Sequence, residues 1–140
     1  MLRRSLIPIA ICAAMAGAGV ASAQSGETLG SSWAQVNVCS PGQLGARAQL
    51  AGDGSDSQMS VRFTAQWLSP TGWVPVSGAA TSPLQPAGSA EYTWGQAGWT
   101  YAITVPPGQT YQLRAVAELH WSGETARTET YTTGTCTLAG

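Results

Sequence analysis

No lysine occurs in this chain, histidine and phenylalanine occur once each, and charged residues make up only 9% of its 140 residues. Without a basic patch there is no electrostatic footprint for nucleic acid or for an anionic membrane surface. With His120 as the only imidazole, a histidine-rich metal site is excluded, and a nucleophile–base pair would have to be built on that one ring. There is no Gly-x-Ser-x-Gly nucleophile elbow. Beyond the first two dozen residues no apolar stripe of period 3.6 appears, so no helix is expected there. What the chain has instead is 17 glycines, 8 prolines and 6 tryptophans.

Residues 1–23 have the layout of a secretory signal peptide. Met1-Leu2-Arg3-Arg4 is a short basic start, Ser5 to Val20 is uncharged and apolar, and Ala21-Ser22-Ala23 offers small residues at a cleavage site. The apolar run is short for a membrane span and is interrupted by Pro8 and by glycine, which favours cleavage over retention as an anchor. Cys12 follows Ile11, where a lipid-anchored cysteine wants a small residue before it. Cleavage after Ala23 removes 23 of the 140 residues and leaves 117, enough for one domain. That mature chain carries four arginines against seven acidic residues, a net charge of −3. The lack of lysine beside abundant alanine and glycine fits the codon bias of a GC-rich bacterium. The expectation is therefore a secreted, extracellular, monomeric bacterial protein that does not stay in a membrane after its leader is removed.

Two cysteines remain after cleavage, Cys39 and Cys136. In an exported protein the simplest reading of such a pair is a disulfide. Two free thiols is the alternative, and a metal site would have only His120 to recruit.

Residues 24–32 are polar and Gly-rich and read as a flexible N-terminal segment; residues 33–140 read as one domain. Within it, short period-two runs are separated by Gly, Pro, Asp and Ser. Strands are expected at Trp33–Cys39, Leu44–Ala51, Met59–Leu68, Trp73–Val76, Glu91–Val105 with an interruption at Gly95–Gly98, Tyr111–Trp121 and Thr125–Thr133, and a loop over Ser77–Ser89. Pro75 lacks a donor, which marks its strand as an edge. Leu44, Ala46, Ala48 and Leu50 share one face, and Arg47 and Gln49 the other. Met59, Val61, Phe63, Ala65 and Trp67 alternate with Ser60, Arg62, Thr64 and Gln66, the pattern of a half-buried strand. The predicted core is Leu44, Ala46, Leu50, Val61, Phe63, Trp67, Ile103, Tyr111, Leu113, Ala115, Ala117, Leu119 and Trp121. The fold class is all-β, an antiparallel sandwich of about seven strands.

Pro107-Gly108, then Tyr111-x-Leu113-Arg114-Ala115, resembles the loop and sixth strand of fibronectin type III and related immunoglobulin-like domains. The turn at Ser122-Gly123-Glu124, the Thr-rich strand after it, and Trp67 followed by Gly72-Trp73 fit the same pattern. The resemblance covers roughly Leu44 to Thr133. It implies an immunoglobulin-like sandwich in which Tyr111 forms a tyrosine corner, its hydroxyl returning to the backbone a few residues upstream. The family's tryptophan on the second strand is missing, and Leu113 stands where the immunoglobulin cysteine would be. Cys39 and Cys136 would instead tie the first strand to the end of the last. The family hosts adhesion, scaffolding, receptor and carbohydrate-binding roles, so the fold alone does not select one.

Parity places Trp67, Trp99 and Trp121 inward and leaves Trp33, Trp73 and Trp94 unassigned. Exposed Trp73, Tyr92 and Trp94 are the candidates for a flat platform that stacks on a sugar or a partner protein. Asp53 and Asp56 in Asp53-Gly54-Ser55-Asp56 are candidates for a calcium loop, but two carboxylates fall short of six to eight oxygens unless Glu27 or another acid helps; such residues also make turns by themselves. His120 has the outward parity of Arg114 and Glu118. Glu118 with Glu124 or Glu129 is a weak glycosidase pair, on an exposed hairpin with nothing to desolvate one of them. The expectation is a non-enzymatic module without cofactor, whose partner is an extracellular protein or, alternatively, a polysaccharide.

Overall fold

The computed structural model describes residues 30–78, 80–124 and 126–140. The expected leader and residues 24–29 of the N-terminal segment lie outside the described residues. Among the described residues there are nine strands and no helix: β1 (Trp33–Ser40), β2 (Gln43–Ala51), β3 (Gln58–Ser69), β4 (Gly72–Pro75), β5 (Gln85–Ser89), β6 (Trp94–Ala102), β7 (Thr110–Trp121), β8 (Arg127–Thr132) and β9 (Cys136–Ala139). All pairings are antiparallel. One sheet has the order β1-β2-β6; the other runs β4-β3-β7-β8, with β5 also on β3 and β9 also on β7.

The protein is all-β, as expected, with nine strands in place of seven. The two additional ones are β5 and β9. β5 lies inside the expected loop; its Pro86 and Gly88 suit an edge, and the β3–β5 register slips by a bulge at Met59/Ser60. β9 continues the chain past the Thr-rich strand and pairs with the start of β7, placing Cys136 opposite Leu113.

Period-two patterning builds the core. Leu44, Ala46, Ala48 and Leu50 of β2, Met59 to Ala65 of β3 at alternate positions, and Leu113 to Trp121 of β7 at alternate positions are buried in one cluster shared by the two sheets. The alanines of β2 share this cluster with the larger Phe63 and Trp121, a mix of small and large side chains that fills a dry interior. Trp67, Trp99, Ile103 and Tyr111 reach this cluster but remain partly exposed. Trp33 is buried. Gln49, expected on an outer polar face, is 1% exposed, because Gln96 of β6 donates its amide to Gln49 Oε1 at 2.9 Å and Gln49 Nε2 donates to the Ser31 carbonyl at 2.8 Å. A buried amide is tolerated when it is bonded in this way.

Cys39 and Cys136 form a disulfide across a sequence separation of 97. It joins the end of β1 in one sheet to the start of β9 in the other. The bridge is consistent with an oxidising, extracellular compartment.

Candidate functional site

The two sheets do not cover each other evenly. At the Trp94 end of β6, β5 comes so close that a Cβ on Gly95 would lie 1.9 Å from the Ala87 carbonyl oxygen. Only glycine permits that approach. At the other end of β6 the opposing edge is β4, which pairs only with the last residues of β3. Between Pro75–Ser77 and Thr100–Thr104 the sheets part, leaving an open cleft of about 800 Å3. Trp67, Val76, Trp99, Tyr101, Tyr111 and Leu113 give it an apolar, aromatic floor. Its size falls within the range of ligand-binding clefts. The Trp67 and Tyr111 rings meet in a tilted pair with centroids 5.1 Å apart.

Tyr101 is 5% exposed, and burial raises its phenol pKa well above the ordinary 10. Its hydroxyl has no hydrogen-bond partner among the described residues. The Ser82 N–H opposes this rise, but it is donated to the Phe63 carbonyl at 2.7 Å.

Tyr111 departs from the expected corner. Its hydroxyl donates to Gln109 Oε1 at 2.8 Å and not to a backbone carbonyl. Two of the upstream carbonyls are engaged: Pro106 O accepts the Gln109 N–H and Gln109 O accepts the Gly140 N–H. The ring lies half-exposed at the rim of the cleft, so a glutamine side chain suffices as partner.

The edge of β6 bordering this cleft is open. Ile103 N donates to Gly42 O at 2.9 Å, and Gly52 N to Thr93 O at 2.8 Å. In an antiparallel ladder alternate residues bond to the same neighbour, so the main-chain groups of Trp99 and Tyr101 face β2 while those of Gly98, Thr100 and Ala102 face outward. No hydrogen bond to the latter three is made among the described residues.

The structure separates the residues proposed as a platform. Trp73 sits on β4 opposite Leu68, half-buried, with the Arg114 guanidinium 4.2 Å from its ring centre. Trp94 sits at the far end of β6 opposite Ala51. Tyr92 and Trp94 are exposed, at 70% and 39%, and neighbour each other across one residue. The three therefore do not make one surface, because β4 and the start of β6 lie at opposite ends of different sheets.

At the calcium candidate, Asp53 Oδ1 accepts the Ser55 N–H at 2.9 Å, and its Oδ2 takes Arg127 Nη1 at 3.1 Å. The hydrogen bonds from Ser55, then Arg127, hold this carboxyl below its ordinary 3.8. A carboxylate with a lowered folded pKa stabilises the fold above its ordinary value, and that contribution fades as pH falls through the lower one. Among the described residues no cluster of three metal-ligating side chains exists, and Glu27 lies outside them. Asp53 is thus occupied by a turn and an ion pair.

His120 lies on the outer face of β7, as its parity predicts, and has side-chain neighbours there. Its Nδ1 lies 3.3 Å from Thr128 Oγ1 and its Nε2 2.6 Å from Glu118 Oε1. The second approach has ion-pair distance without hydrogen-bond alignment. The group sits on an open sheet face, on the side away from the cleft.

Reading the sequence by parity found the cleft's aromatics but assigned Trp67, Trp99 and Tyr111 to a closed core. The signal for an open edge was present in Trp94–Ala102, nine residues with neither charge nor proline. No protein-family model matches the chain, and no curated protein matches it in sequence.

Proposed function

We propose that this protein is an exported immunoglobulin-like module, without enzymatic activity, that binds a protein partner outside the cell through the cleft between β4 and β6. The observation that carries this reading is the cleft itself: an aromatic floor left open where the two sheets part, on a domain braced by a disulfide. Open clefts floored by aromatic side chains, with a few polar groups at the rim, are where folded domains take ligands and partner segments. Strand order supports the immunoglobulin-like assignment. The first two strands share a sheet with the strand that precedes the Tyr111 turn, while the third joins the last hairpin, the division seen in that sandwich. Residues 1–23 supply the export signal.

The reading is tested in intact cells with a photo-crosslinking amino acid at Thr104, which lines the cleft, and at Glu118, on the outer sheet face. The expected result is an adduct with one defined exterior protein from position 104 and none from 118, with the mature N-terminus at Gln24. Adducts from neither position, or retention of the uncut chain inside the cell, would overturn it.

Tyr92 and Trp94 favour a second reading, a small sugar-stacking surface, because both are exposed aromatics two positions apart in the chain. It requires a tryptophan fluorescence change with a cell-wall or plant polysaccharide that Trp94→Ala abolishes. A flat response across such a panel removes it.

A further inference from the structure

The edges of the two sheets are not equally protected. A bare strand edge is a template for another chain, and proteins blunt it with charge, proline, bulges or brevity. β1 carries a bulge between Val36 and Val38 and the disulfide at Cys39. β4 has Pro75 and four residues, β5 has Pro86 and five, β8 has Arg127 and Glu129, and β9 has four residues. β6 alone, nine residues long, has none of these devices. Its Trp94 end is covered by β5, so the unprotected part is Gly98–Ala102, where three residues in alternation turn N–H and C=O groups away from β2. The apolar cleft lies directly beside that row.

We propose that this edge takes an added strand: an extended segment of the partner pairs antiparallel with β6 at Gly98, Thr100 and Ala102, and every second side chain of that segment, apolar, enters the cleft over Trp67, Trp99 and Tyr111. The proposal deepens the reading above and rests on it. Main-chain bonds supply register and the cleft supplies preference for alternate apolar residues, the division of labour in strand-addition recognition. A lipid or other small apolar ligand fills the cleft but leaves the row of main-chain groups solvated, so it explains half of the arrangement. A second copy pairing through its own β6 satisfies the row but not the cleft, because its inward residues, Tyr101 foremost at 5% exposure, are already committed to its own core.

The probe is a nine-residue peptide library with Leu, Ile, Val or Tyr at alternate positions, Thr or Ser between them, and lysine at both ends; the control has the same compositions with the apolar residues grouped together. Binding is followed by fluorescence, and the site by amide hydrogen exchange. The expected result is that period-two peptides bind and slow exchange at Gly98, Thr100 and Ala102, while Trp99 and Tyr101, already bonded to β2, do not change. Ala102→Lys and Thr100→Pro each weaken binding about tenfold or more, since charge and proline are the devices that protect other edges. Thr100→Pro removes an outward N–H and so spares the β2 ladder; if it nevertheless unfolds the domain, Ala102→Lys decides alone. Equal binding of grouped and alternating peptides, no protection at the three amides, or no binding at about 1 mM peptide sinks the proposal. Dimerisation of the protein by itself, with those amides protected, assigns the edge to a second copy and overturns it too. A Thr104 crosslink that persists in Ala102→Lys keeps the interaction reading and removes strand addition only.

Discussion

Converting both Cys39 and Cys136 to serine lowers the unfolding free energy by about 4 kcal/mol, measured by urea denaturation at pH 7. The chain-entropy argument gives about 4.7 kcal/mol for a closed loop of ~100 residues, and the separation here is 97. Cys136 is 2% exposed, so the replacement also buries a hydroxyl with no assured partner. Against a total of about 5–15 kcal/mol for a domain, the loss moves the double variant from securely folded to marginal. Cys39→Ser alone has nearly the same effect, since the remaining buried thiol adds nothing to the closed loop. A drop below about 1 kcal/mol would mean that packing between the sheets, and not the bridge, holds β1 to β9.

Trp121→Ala is the second large effect, a loss of about 3–5 kcal/mol. The ring is 2% exposed and ends the inward row of β7. Its Nε1 donates to the Ala51 carbonyl at 3.0 Å, which ties the end of β2 in one sheet to the end of β7 in the other. The Arg127 guanidinium lies 3.9 Å above the ring and carries its own bonds to Asp53 and Glu129. Truncation therefore leaves a cavity, an unpaired carbonyl and an arginine without its platform. Trp121→Phe separates these contributions: it keeps most of the buried area but drops the donor, for about 1–2 kcal/mol. Thermal melts of the two variants, read beside Phe63→Ala as a core truncation without a hydrogen bond, show whether the Ala51 bond adds to the cavity cost. Equal losses for Trp121→Phe and Trp121→Ala would place the whole effect in the hydrogen bond.

Parity reached the fold where each face had one fate. Along β2, β3 and β7 the inward rows are aliphatic or aromatic, and Leu44 to Leu50, Met59 to Ala65 and Leu113 to Trp121 at alternate positions are buried as the alternation requires. It failed where tertiary context overrode local pattern. Gln85-Pro86-Ala87-Gly88-Ser89 has almost no intrinsic strand preference; it becomes β5 because β3 offers it a ladder and because Gly95 lets it sit against β6. Gln49 has a polar side chain on an outward parity, yet Gln96, 47 positions away, shields it. The cleft was invisible for a related reason. Alternation states which way Trp67, Trp99 and Tyr111 point, but not whether the facing sheet extends far enough to cover them, and that depends on β4 stopping at Pro75. The tyrosine corner was half legible: the motif located Tyr111 at the turn, while the choice of Gln109 over a carbonyl depends on how Gly140 closes the turn behind it.

The position of the disulfide also decides how the protein responds to force. A pull on the two ends of the chain first loads the pairings of Trp33–Val38 with β2 and of Thr137–Ala139 with β7; once these give way, the covalent bridge between Cys39 and Cys136 carries it. The 97-residue interval between the two cysteines cannot be drawn out, which withholds ~330 Å of contour at about 3.4 Å per extended residue. Under tension the oxidised domain can lengthen only by the short segments outside the two cysteines. Reduction turns the same domain into a tether that also yields the withheld contour.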